Sequence, residues 1–353
     1  MIRTRHAASP GAAPGRKVTI NDIAEATALS KATVSLVLRN SPSIPEVTRS
    51  RVLEAASRLG YVYHRGAASL RGGTTRTVGI VVNDITNPYF AETVALIQQR
   101  LTAAGRFSFL CNTGEDLAVQ SSFVEKMREY NVDGIIMSPA EGTDPQWLRQ
   151  LGATGMPLVL FSRHIDAGVD NVGADNVGGM RLAMEHLVEL GHRRIAMVGA
   201  NQRTSTGIER LEGYLKAVKV ARLPQDERLI KYSLPSRDAG FKAARELMEL
   251  ADRPTAIVCF NDVLAFGVML GLRSLGLAPG TDVSVIGFDD VAEASLWRPT
   301  LTSIQVPLAV LAEEASQLLL SRIGQALPSS ATRVLLPVTI AVRETTGRAP
   351  VEG

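Results

Sequence analysis

Residues 18–60 read VTINDIAEATALSKATVSLVLRNSPSIPEVTRSRVLEAASRLG, and the spacing of their apolar side chains sets three short helices. Ile20, Ile23 and Ala24 stand at i, i+3, i+4, one helical stripe, with Thr19 before them as an N-cap and Asp22 three residues on. The first helix therefore runs from about Ile20 to Ala26. After the break Thr27-Ala28-Leu29, Ser30 caps a second helix in which Val34, Val37 and Leu38 repeat the spacing as far as Arg39. Two short helices across a three-residue turn make a helix-turn-helix. A third helix, roughly Glu46 to Leu59, carries Val52, Ala56 and Leu59 on one face and stops at Gly60. Pro45 suits its start but supplies no side-chain acceptor. The second helix is left with a free face: Lys31, Ala32, Thr33, Ser35, Leu36 and Arg39.

Such a bundle need not touch nucleic acid, and charge decides that it does. Residues 1–76 hold twelve Lys and Arg against four acids, a net of +8, whereas the whole chain is +3, so the other 277 residues carry −5. Positive charge gathered on the segment with the helix-turn-helix is the footprint of phosphate binding. These residues resemble the headpiece of the LacI/GalR family of bacterial transcriptional repressors: VTINDIAEAT, Ser30-x-x-Thr33-Val34-Ser35, Thr48-Arg49-x-x-Val52 and Leu59-Gly60-Tyr61 carry the likeness, which continues along nearly all of the chain.

The 353 residues suffice for two lobes and a small module, and 45% hydrophobic with 21% charged residues is a soluble composition. No apolar run approaches the roughly 20 residues of a membrane span. Residues 1–17 have no apolar h-region and read as a disordered basic tail, so a cytoplasmic protein is expected. Cys111 and Cys259 lie in separate strand-like runs, which implies a reduced compartment and no disulfide.

The headpiece then spans 18–64. Residues 65–76, RGAASLRGGTTR, form a linker whose few helical residues cannot meet their nucleation cost alone. The resemblance implies a hinge helix that orders on DNA, contacts it through Arg65, Ala67, Leu70 and Arg71, and wedges Leu70 into a central base step. The chain departs from the family at Tyr63-His64 and at Ala68.

From Thr77 the sequence alternates short apolar runs (78–82, 107–111, 133–137, 157–161, 194–199, 229–232, 256–260 and 283–288) with amphipathic stretches. Unalternating strands separated by helices indicate parallel sheets buried on both faces. About eight units exceed one open sheet, so an α/β core of two doubly wound lobes is expected. The first lobe takes about 77–175 plus 305–332, and the second about 176–304 plus 333–345. The resemblance makes this a periplasmic-binding-protein-like core that closes on an effector at the strands' carboxyl ends.

There the resemblance assigns effector contacts to Tyr89 and Phe90, Thr204, Thr206, Arg210 of the R-L-x-G motif, Asn261 and Asp289, and to the corner at Ser162 and Arg163, where this chain departs from the acid that many relatives carry. On the residues alone, the aromatic pair could equally cap its helix, and Arg210 could be a solvated charge. Asp262 and Asp290 read as helix caps. Arg, Asn and Asp with aromatic faces suit a hydroxyl-rich sugar, whereas Arg163 with Arg210 would favour a small acid. No P-loop, G-x-G-x-x-G or G-x-S-x-G occurs, and the five histidines are scattered, His192 in a loop. Catalysis, metals and cofactors are therefore not expected.

The predicted protein is a repressor that binds a palindromic operator as a homodimer under the control of a small-molecule effector. Lys31 reads guanine, Ala32 and Leu36 pack on thymine methyls, and Thr33, Ser35 and Arg39 take phosphates; Thr19 and Ser30 are also expected among the DNA-binding residues. The chain shows no terminal heptads, so a dimer rather than a larger assembly is expected. The alternative is a solute-binding or enzymatic α/β protein with a DNA tether.

Overall fold

The computed structural model describes residues 17–38, 41–62, 74–325 and 330–350, and the chain divides into two units, Met1–Gly73 and Thr74–Gly353. Arg39 and the hinge residues Arg65, Ala67, Leu70 and Arg71 lie outside the described residues, as does nearly all of the 1–17 tail.

The first unit contains α1 (Ile20–Thr27), α2 (Lys31–Leu38) and α3 (Glu46–Leu59). The Asp22 carboxylate accepts from both the N–H and the hydroxyl of Thr19 at 2.7 Å, holding the start of α1. The Ser30 hydroxyl accepts from the Thr33 N–H at 3.1 Å and caps α2. Pro45 opens α3 with no side-chain cap, yet its carbonyl begins the helical ladder at Arg49. Ile23, Ala24, Val34, Val37, Val52, Ala55 and Ala56 are the shared core, with Ile20, Leu38 and Leu59 packed at its margin. A left-handed Ala28 turns the chain between α1 and α2, and Arg51 from α3 donates to the Thr27 carbonyl at 2.6 Å, capping the C-terminus of α1.

The second unit runs β1 (Thr77–Val82), α4 (Pro88–Ala103), β2 (Phe107–Asn112), α5 (Leu117–Glu129), β3 (Gly134–Met137), α6 (Pro145–Ala153), β4 (Leu158–Phe161), β5 (Asp170–Ala174), α7 (Asn176–Glu189), β6 (Ile195–Ala200), α8 (Ser205–Val220), β7 (Ile230–Tyr232), α9 (Arg237–Met248), β8 (Ala256–Cys259), α10 (Asp262–Ser274), β9 (Ser284–Asp289), β10 (Thr302–Gln305), α11 (Leu308–Arg322), β11 (Arg333–Leu336) and β12 (Thr339–Ala341). Two six-stranded sheets result, in the orders β11-β5-β4-β3-β1-β2 and β12-β10-β9-β8-β6-β7. All pairings are parallel except that of β12 with β10. Each sheet is the centre of one lobe, and the expected double winding is present in both.

Three details differ from the sequence reading. The boundary at 333 is displaced: β11 pairs in parallel with β5, Arg333 beside Asn171, so it completes the first lobe, and the chain crosses to the second only after Leu336. The backbone thus passes between lobes at 174–176, 305–308 and 336–339. Second, β2 is not buried on both faces. It is an edge strand, and Phe107 is 62% exposed there with Phe109 and Leu110 also open to solvent. Third, β5 has the sequence DNVGA, with no apolar run to announce it; its burial comes from lying between β4 and β11.

In the second lobe α9 and α10 approach backbone to backbone, because Gly240 and Gly267 leave room: a Cβ on Gly267 would stand 2.1 Å from the Arg237 carbonyl oxygen. His192 lies in the loop between α7 and β6, as read from sequence, but is buried. Its ring bonds to Thr255 and Ser284 hydroxyls at 2.8 and 3.0 Å and to the Gly347 carbonyl at 3.1 Å, tying the C-terminal segment to the sheet.

Candidate nucleic-acid interface and effector cleft

In the first unit α2 presents Lys31 and Ala32 to solvent, with Thr33, Ser35 and Leu36 half-buried beside them. Thr19 and Ser30, at the starts of α1 and α2, are exposed as well. Val34 and Val37 hold the opposite face in the core. The first turn of α2 is therefore open to a partner while its cap is already satisfied, the geometry with which a recognition helix enters a major groove. Arg51, a basic residue that charge counting assigns to the same patch, is instead occupied in capping α1.

In the second unit the carboxyl ends of the two sheets face each other. Among the described residues, polar contacts cross between the lobes at several points: the Ala292 N–H donates to Glu92 at 3.1 Å, the His164 N–H to the Ser205 hydroxyl at 2.9 Å, Arg203 pairs with Glu141 at 2.5 Å, and Glu209 faces Arg333 at 3.3 Å and the His164 ring at 3.6 Å. Arg210 sits at the centre, 5% exposed. Its Nε donates to Asn176 Oδ1 at 2.9 Å and its Nη2 to Asp289 Oδ1 at 3.2 Å, while Nη1 bonds the Phe260 carbonyl. The guanidinium carbon lies 3.6 Å from the centroid of Phe288 and 4.6 Å from that of Phe260. This is a buried, pre-oriented cation and not a solvated one.

Burial pushes the Asp289 carboxyl up to about 6 even though Arg210 pulls it down, and Glu92 across the cleft adds to the rise. Asp289 holds φ +110°, and Ser162 at the end of β4 holds +64°, so the backbone is left-handed at both strand ends facing the cleft. Tyr89, in the first turn of α4, is buried, and desolvation raises its phenol to about 12. Phe90 turns into the first lobe and packs edge-on against Phe161 at 6.2 Å. Thr204 and Asn261 cap α8 and α10 by accepting from Gly207 and Leu264. Thr206 lies buried beside Thr204, hydroxyl to hydroxyl at 3.4 Å.

Arg163 is placed by partners that sequence spacing does not reveal. Glu115, from the loop after β2, takes both its terminal nitrogens at 3.0 and 2.7 Å, and the Pro139 carbonyl accepts at 3.1 Å. The Arg163 pairing helps hold the Glu115 carboxyl below the usual range. The capping roles read for Asp262 and Asp290 are not what forms. Asp262 is fully buried and accepts from the Ser303 hydroxyl at 2.6 Å and the Val291 N–H at 2.9 Å, its carboxyl raised well above normal by burial and by Asp289. Asp290 accepts from Arg343 at 2.7 Å and Gln305 at 3.0 Å. Asp262 ties α10 to β10 and to the turn after β9, Asp290 ties the end of β9 to β10 and the C-terminal segment, and the helix cap beside Asp262 is Asn261.

A helix-turn-helix unit joined to a two-lobed core with a polar cleft defines a ligand-responsive DNA-binding regulator. The sequence profile described as "Bacterial regulatory proteins, lacI family" matches residues 19–63, and that described as "Periplasmic binding proteins and sugar binding domain of LacI family" matches residues 75–343. The HTH-type transcriptional repressor PurR of Vibrio atlanticus is 32% identical over 312 residues, 86% of this chain and 92% of that protein. Among solved structures, the Lac repressor dimer bound to operator and the anti-inducer ONPF superposes with a TM-score of 0.82 at 27% identity, covering 94% of this chain and all of that one. The transcriptional regulator CelR–cellobiose complex superposes with 0.70 at 29% identity, covering 93% and 100%. The chain belongs to the LacI family of bacterial regulatory proteins. Among the described residues no helix is long and apolar enough to cross a membrane, and no cluster of three or more His, Cys, Asp or Glu could hold a metal ion.

Proposed function

We propose that this protein represses transcription in the cytoplasm by binding a palindromic operator as a homodimer, and that its effector is a neutral, hydroxyl-rich molecule of the sugar class. The observation that carries the effector reading is the pairing of the two cleft guanidiniums. Arg163 is taken up by Glu115 and Arg210 by Asp289, so neither is left as a net positive charge to attract an acid. What remains is a set of fixed donors and acceptors beside Tyr89 and Phe260, which suits hydroxyls and a sugar face. The cellobiose bound by CelR supports the same class. Dimerisation is supported by the apolar edge at β2, where Phe107, Phe109, Leu110 and Tyr130 of the first lobe stand exposed and call for a second copy.

The test is a thermal-shift screen of the full chain against neutral sugars such as cellobiose, ribose and galactose alongside carboxylates and sugar phosphates. A neutral ligand at a hundred times its Kd stabilises the core by about 2.7 kcal/mol. Stabilisation by acids or phosphates alone would overturn the assignment.

A further inference from the structure

We propose that Glu209 is a positioning residue that couples the effector-site arginine to the angle between the lobes. This rests on the reading of Arg210 as an effector contact. Glu209 lies in the first turns of α8, one residue before Arg210, and its carboxylate gathers groups from three chain segments. Oε2 accepts from Asn176 Nδ2 at 2.8 Å. Oε1 faces Arg333 Nη2 at 3.3 Å and His164 Nδ1 at 3.6 Å.

The chain positions of those partners give the arrangement its meaning. Asn176 stands at the first backbone crossing between lobes, and its other amide atom, Oδ1, accepts from Arg210 Nε at 2.9 Å. Arg333 belongs to β11, the last strand of the first lobe before the chain crosses again. His164 follows Ser162 and Arg163 on the first-lobe wall of the cleft, and its own N–H donates to Ser205 at the start of α8. A continuous relay thus runs from Asp289 through Arg210, Asn176 and Glu209 to two first-lobe side chains. When a ligand displaces Arg210 from Asn176, the amide is released and with it the hold of Glu209 on the first lobe. The Glu209 side chain is 20% exposed, so these contacts are only partly screened by solvent.

Two amides report lobe contact directly, because each donates across the cleft: His164 to Ser205, close to Glu209, and Ala292 to Glu92, in a different part of the cleft. Hydrogen exchange is followed at both in the full chain. In Glu209→Ala both amides exchange about tenfold faster or more while the β6 amides stay as in the wild type, and Glu209→Gln, which keeps an acceptor for Asn176, stays within about threefold of the wild type. A role confined to local packing would move His164 but not Ala292. Unchanged exchange at Ala292 in Glu209→Ala, or acceleration shared by the β6 amides, overturns the proposal. Should Glu209→Ala not fold, Glu209→Asp, too short to hold Asn176 and the first-lobe pair together, is read by the same criteria. No ligand enters the measurement, so its failure is distinct from failure of the effector assignment.

Discussion

Replacing Arg210 with Met tests whether the cleft is built around a buried ion pair. Met keeps an unbranched stem against Phe288 but removes the bonds to Asn176, the Phe260 carbonyl and Asp289. Asp289, itself buried, then loses its only counter-charge within hydrogen-bond reach among the described residues. Removing one partner of a buried pair costs about 3–5 kcal/mol, because the other charge stays desolvated. The loss has a pH dependence with a definite sign. Asp289 titrates near 6 with Arg210 beside it, and Arg210 lowers that value, so in the variant it rises further. Between the two values the folded variant binds more protons than the folded wild type, so its deficit grows as pH rises through 6. Urea unfolding of the core at pH 5 and pH 8 should show the larger deficit at pH 8, and adding Asp289→Asn should recover at least about 1 kcal/mol there. A deficit below about 1 kcal/mol at pH 8, or one that does not change between the two pH values, would refute this account of the site.

Asp289→Asn alone gives a complementary profile. A carboxyl whose folded pKa lies above its unfolded one supports the fold most below about pH 4, and that support is lost as pH climbs through about 6, a change of roughly 3 kcal/mol for two units. The difference in unfolding free energy between wild type and variant should therefore fall across that window, and a flat difference contradicts the shift. Gly267→Ala drives a Cβ into the Arg237 carbonyl and should destabilise the second lobe by about 1–3 kcal/mol or more in thermal unfolding; a neutral result would mean α9 and α10 are not in backbone contact. Lys31→Ala, on the exposed start of α2, should reduce discrimination between operator and mismatched duplex by about 1–3 kcal/mol in competition binding. Uniform weakening across sequences would instead place Lys31 on phosphate.

The headpiece was legible almost residue by residue because every signal in it is local: caps at Thr19 and Ser30, the i, i+3, i+4 stripes, the stop at Gly60. The doubly wound core was legible from its apolar runs. What escaped was decided by tertiary placement. β5 has few apolar residues and is a strand because of its neighbours, and β11 follows its partner β5 into the first lobe. The FSFLC run looks buried in sequence, yet β2 ends the sheet. At the site, Arg163 could be read as a free cation only because Glu115 is 48 positions away and nothing local links them. Asp262 reads as the cap of its helix, but it is Asn261, with an extended backbone, that takes that position. Glu209 carried no motif of its own.

The central claim is that two copies of the cationic first unit hold a symmetric duplex while the second unit governs their grip. Selection of the full chain against a random duplex pool at low ionic strength tests it most directly. The account predicts enrichment of an inverted repeat whose retention weakens steeply with salt and shifts when a neutral sugar that stabilises the core is added. Recovery of no symmetric sequence, or retention indifferent to salt and to every stabilising ligand, would contradict it.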